Sequence, residues 1–187
     1  YGLNGPWELR SATCDKCAKI TSSFERAVQR DSLIVLRAAL DFPTRRKHKR
    51  PTKFPLVISR NGHNETVEVP VHQHLALMIL PISEPPAYLD NRPYEKGTTI
   101  KGTVAVQVGG PPAIELAKQL GTKSLSVTVT WHANCFERLI AKVAYGFAVS
   151  KLGIDNIEDV YVVPAILGEK DDVGRWVGCA TDIVLPV

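Results

Sequence analysis

Cysteine, methionine and aromatic residues are all scarce in this sequence. Of 187 residues four are Cys and one is Met, and aromatics make up 7%. So few cysteines in a chain of this length exclude a disulfide-built secreted scaffold. No run of eighteen apolar residues occurs, and the longest apolar stretch, Leu75 to Pro81, is strand-sized. A transmembrane helix is therefore not expected, and no membrane partner either. Position 1 is Tyr and no signal-peptide pattern follows it. The expectation is a chain that begins partway into something longer, or that has been processed. No internal repeat is evident, and composition excludes collagen-like and disordered classes.

What is present is ordinary for a soluble globular chain: 44% hydrophobic and 22% charged residues. The net charge of +4 is localised. Residues 45 to 53 carry six positive charges and no acid: Arg45, Arg46, Lys47, Lys49, Arg50 and Lys53. The rest of the chain holds 17 basic against 19 acidic residues, a net of −2. Such a segment on a near-neutral body points to a local anionic partner, with a solvated loop as the plain alternative. Without interleaved aromatics it suits nucleic-acid backbone contacts rather than base stacking.

Periodicity predicts an α+β chain. A helix is expected from Asp15 to about Asp31, with a second stretch from Ser32 to Leu40 that Asp41-Phe42-Pro43 ends. Phe54–Arg60 and Thr66–Val71 flank Asn61-Gly62-His63-Asn64-Glu65, a hairpin signal. Leu75–Leu80 reads as an inner strand and residues 81 to 98 as a proline-rich connection. Ile100–Val108 reads as a strand, and Gly109-Gly110-Pro111-Pro112 as a turn opening a short helix to Leu120. Leu125, Val127, Val129 and Trp131 alternate with polar residues, the clearest amphipathic strand in the chain. The strongest helix runs from Ala133 to Leu152, with an apolar stripe of Phe136, Leu139, Ile140, Val143 and Phe147, and Gly153 stops it. Mixed short strands are expected from Asp155 to the end.

Cys14 and Cys17 form a C-x2-C pair at a loop-to-helix junction. Two converging thiolates there suit half of a structural zinc site, with a redox pair or unpaired thiols as the alternatives. Cys135 and Cys179 stand alone in apolar surroundings and read as buried thiols of a reducing, cytoplasmic compartment. His72-Gln73-His74 would set two imidazoles on one strand face, as a metal pair or as partly exposed structural residues. Asn134 reads as a helix cap rather than a catalytic group. Glu137, Arg138 and Lys142 read as helix-face charges, Arg138 and Lys142 being alternative phosphate contacts. Gly121-Thr122-Lys123-Ser124 precedes a strand, which excludes a P-loop, and no Gly-x-Ser-x-Gly elbow occurs.

The run Tyr1-Gly2-Leu3-Asn4-Gly5, then Leu9, Ala12, Cys14 to Cys17, Ile20-Thr21-Ser22 and Phe24-Glu25, resembles a bacterial HNH endonuclease-type family. Pro43-Thr44-Arg45-Arg46, Leu80-Pro81 with Pro85, and Phe136 through Tyr145 are similar to that family's C-terminal extension. The resemblance implies a ββα-metal finger whose second cysteine pair is Cys14 and Cys17, holding structural Zn2+. It implies residues 1–42 as the second half of the finger with its helix, and 43–187 as an α+β extension with a mainly antiparallel sheet and one or two packed helices. The first cysteine pair and the water-activating histidine would precede Tyr1, and the family's central Asn falls at Leu9, with Asn4 nearest. No complete nuclease centre is thus expected in the sequence itself. The implied whole protein is a nuclease using Mg2+ or Mn2+ on nucleic acid, with DNA the expected substrate. The alternative is a non-catalytic zinc-knuckle module that binds nucleic acid or a protein partner within an assembly.

Overall fold

The computed structural model describes residues 13–44, 47–94, 96–132, 134–158 and 160–179. The fold is α+β with mainly antiparallel pairing, and its contacts divide it into two compact units, each assembled from separated stretches of chain. Among the described residues, one unit holds Gln29–Ile79 and Ala105–Thr130, and the other residues 13–28, Leu80–Val104 and residues 131–179. The 42/43 boundary expected from sequence falls inside the first unit.

In the first unit, α2 (Ile34–Ala39) leads to a 3-10 turn at Lys47–Lys49 and then to the hairpin β1 (Lys53–Arg60) and β2 (His63–Pro70). Asn61 and Gly62 take φ of 50° and 81°, as the tight turn between Arg60 and His63 requires. β1 is the central strand, because β5 (Ser124–Ser126) pairs antiparallel with its other edge. Alternate residues Phe54, Leu56 and Ile58 are buried, and Leu56 and Ile58 form a core with Val69, Leu75 and Leu116. Burying one such Leu or Ile stabilises the fold by about 2 kcal/mol. Leu116 comes from α3 (Ala113–Gln119), which Pro112 opens as expected.

The strand expected over Ser124–Trp131 pairs over only three residues. Its alternation survives as burial, for Leu125 and Val127 pack on the core while Ser124, Ser126 and Thr128 stay exposed. Periodicity reports which face is inside, not whether a partner strand continues alongside. Val71, expected to extend β2, lies in a 3-10 turn with His72 and Gln73. β3 (Ala76–Ser83) and β4 (Ile100–Gly109) make a separate two-stranded sheet, and the chain passes between the units within each strand.

In the second unit, α1 (Asp15–Ala27) places Phe24 at the centre of a helical core with Ala141 of α4 (Cys135–Leu152) and Ile166 of α5 (Val162–Leu167). Gly153, at φ 81°, stops α4 as expected. The expected stripe divides: Leu139 packs on the core and Phe136 is half-buried, but Ile140, Val143 and Phe147 are 42%, 51% and 56% exposed, while Glu137 and Ala141 are buried. The mixed strands expected after Asp155 are instead helical, as α5 and α6 (Val173–Trp176). Pro164 in the first turn of α5 and Gly168 just past its end, at φ 74°, are the helix signals that the β-branched valines masked. Residues 180–187 lie outside the described residues. Among the described residues no helix is long and apolar enough to cross a membrane.

Candidate nucleic-acid interface

In the first unit the residues after Val28 form a wide π-helical turn, Val28–Ser32, before α2. Arg30 of that turn and Ile34, Arg37 and Ala38 of α2 line one cavity. With Gln29 they form one wall of it, and its volume is about 470 Å3. Phe42, Thr44, Lys49 and Arg50 form the other wall. Four cations thus converge, and the described lining contains no carboxylate.

Two of these side chains are held in place. Arg37 donates to Gln29 Oε1 at 2.9 Å, and Arg50 donates to the Asp41 carboxylate and to the Phe42 carbonyl. Asp41 ends the helical stretch at φ 49°, so its link to Arg50 ties the far end of the basic segment back to that turn. Burial first, and then the charges of Arg50 and Arg30, pull Arg37 below its usual range. The described lining sets no carboxylate beside Arg37, so an anion in the cavity could pair with it.

Of the six basic residues predicted to contact nucleic acid, Arg45 and Arg46 lie outside the described residues. Lys47 opens the 3-10 turn, Lys49 is exposed and lines the cavity, and Arg50 is half-buried in it. Lys53 is exposed at the first position of β1, away from the lining. Sequence reasoning missed Arg30 and Arg37. No local signal marked them, because a π-helical turn and the non-helical Leu33 interrupt the helix between them.

In the second unit Cys14 caps α1, its Sγ accepting the Cys17 backbone N–H at 3.4 Å. That bond, and then the Cys17 thiol, lower the Cys14 thiol below its usual range, while the bond to Cys14 raises Cys17. Both sulfurs would have to ionise for the pair to bind a metal. Two thiolates would supply at most half of a four-ligand zinc site. Among the described residues no group of three or more His, Cys, Asp or Glu is placed to hold a metal.

The remaining candidates have structural roles. His74 is fully buried rather than partly exposed, its ring nitrogens 3.0 Å from the Leu75 carbonyl and 3.2 Å from that of Pro55, while His72 is exposed. The two imidazoles do not share a face. Asn134 precedes α4 at φ 61° without a side-chain cap bond, and donates to Asp171 at 3.1 Å instead. Arg138 donates to the Ile166 carbonyl at 2.9 Å with its guanidinium 4.6 Å from the Phe24 ring centre, and Lys142 bonds Thr21 and Glu25. Both face the helical core, which removes them as phosphate contacts. Cys135 and Cys179 are half-buried free thiols, and burial raises Cys135.

Compared with protein-family models, with curated proteins and with solved structures, the chain matches none.

Proposed function

We propose that this chain is the nucleic-acid-holding part of an HNH-type endonuclease working in a reducing, cytoplasmic setting. The observation that carries the binding function is the meeting of Lys49 and Arg50 with Arg30 and Arg37 around one cavity. Guanidinium groups hold phosphate oxygens through paired N–H donors, and Lys adds a mobile point charge. Each phosphate so neutralised releases counterions, so affinity comes mainly from the backbone and falls steeply with salt. The pre-bonded Arg37 and Arg50 need little ordering on binding, which favours affinity. The thiol pair at the start of α1, together with the resemblance of the sequence, supports the nuclease context. There Cys14 and Cys17 would hold Zn2+ with two further ligands. Mg2+ or Mn2+ would neutralise charge at the scissile phosphate.

The test is titration of the full chain into labelled DNA and RNA across a salt series. Log affinity should fall linearly with log salt. Replacing Arg45, Arg46, Lys47, Lys49 and Lys53 together by Gln should weaken binding by about a hundredfold and flatten the slope. Unchanged affinity would sink the reading. Zinc content, with and without Cys14→Ser and Cys17→Ser, and Mg2+-dependent nicking by protein that includes the family's histidine segment, address the nuclease context separately. Zinc with nucleic-acid binding but no nicking would leave the zinc-knuckle module.

A further inference from the structure

The cavity of about 470 Å3 is half open and falls in the size range of small-ligand sites. Its walls are of two kinds. Arg30, Arg37, Lys49 and Arg50 are cationic, whereas Ile34, Ala38 and Phe42 are apolar. A duplex keeps its bases paired and stacked and offers this surface only phosphates, which leaves the apolar wall with no partner. A single strand offers a phosphate and an unstacked base side by side, and an aromatic ring flanked by guanidinium groups is the surface on which such bases stack. The neutral polar groups of the lining, Gln29 and Thr44, add hydrogen-bonding capacity for a base or sugar.

Resting on the nucleic-acid reading above, we propose that this cavity seats one nucleotide of a single strand. Its phosphate lies among Arg30, Arg37 and Lys49, and its base lies against Phe42 and Ile34. Arg50, anchored by Asp41 and the Phe42 carbonyl, closes the phosphate side. The reading selects single-stranded over duplex partners, a choice that the basic segment alone does not make.

The experiment is fluorescence anisotropy with the full chain and a labelled oligothymidylate of about twelve nucleotides, against a duplex of equal length, over a salt series. Arg37→Gln and Arg30→Gln should each weaken single-strand binding about tenfold and lower the salt slope by about 0.7. Phe42→Leu should weaken it several-fold with the slope unchanged, because no charge is removed. Thymidine monophosphate should displace the strand at lower concentration than inorganic phosphate. Lys118→Gln on α3, away from the cavity, should change nothing, and circular dichroism confirms that each variant is folded. Arg37→Gln and Arg30→Gln binding like the parent, while the five-residue basic-segment variant fails to bind, would overturn the cavity seat and leave the backbone reading standing. Tighter binding to the duplex, or equal displacement by inorganic phosphate, would overturn it as well. No nucleic-acid binding by the parent chain would overturn both.

Discussion

Along β1 of the hairpin unit, the inward positions Phe54, Leu56 and Ile58 are all apolar and all buried. Along α4 of the helical unit, the inward side carries Glu137, Arg138, Ala141, Lys142 and Tyr145, while Ile140, Val143 and Phe147 face out. At 100° per residue these two sets lie on opposite sides of the helix. The contrast comes from what each element meets. β1 is flanked by strands on both edges, so its orientation follows the pleat and its apolar face goes inward. α4 packs against α1 and α5 with polar groups that find partners there: Arg138 with the Ile166 carbonyl and Phe24, Lys142 with Thr21 and Glu25. Partnered charges can occupy a helical interface, and once they do, apolar residues half a turn away are left outside.

The sharpest way to break the comparison is Leu56→Ala, which leaves a cavity in a core of apolar neighbours. It should cost about 3 kcal/mol, read as a shift in the urea midpoint without a change of slope. A loss below about 1 kcal/mol would mean that the hairpin core is no better packed than the helical one.

Glu137→Gln probes the inverted helix. Glu137 is 2% exposed, and one carboxylate oxygen has no hydrogen-bond partner. Burial raises its proton affinity in the folded chain. A carboxyl with a raised folded value contributes stability below its ordinary range and loses that contribution as the pH climbs through the folded value. The parent should therefore lose stability at this site as the pH rises from the ordinary carboxylate range through the raised folded value. Glu137→Gln should flatten that loss and gain about 1 kcal/mol at the upper end. An unchanged pH profile would show that Glu137 is not buried as described.

The smallest effect is expected from Phe147→Ser. A 56% exposed aromatic on the outer face of α4 should cost no more than about 0.5 kcal/mol in thermal melts. A loss of 2 kcal/mol or more would mean that this face is covered in solution, and would erase the contrast with β1.

The same contrast marks how far the sequence could be read. Asn61-Gly62 between alternating strands located the hairpin, although β2 begins at His63, three residues ahead of the expected Thr66, because the turn needs only those two residues at positive φ. Pro112 and Gly153 located one helix start and one helix stop for the same reason. The valines of Val160 to Val163 pointed to strand, yet the segment turns helical from Val162, where burial of Ala165 and Ile166 outweighs a weak local preference. At the candidate site the basic segment was legible as composition. Arg30 and Arg37 were not, because they stand outside that run with Asp31 and Asp41 close by in sequence, and only folding brings them to the cavity with Lys49 and Arg50. His74 was misjudged for a related reason: its burial depends on carbonyls of Pro55 and Leu75, one of them nineteen positions away.

By itself the sequence determined where the chain turns, which strands alternate, where positive charge accumulates, and that two thiols stand together at a helix start. These are short-range properties, set by backbone preference and spacing. Only the tertiary structure decided which side of α4 is buried, that the tail is helical, and that Arg30 and Arg37 share a cavity with part of the basic segment. Those outcomes depend on desolvation and on partners supplied from distant positions, and neither is present in any local window of residues.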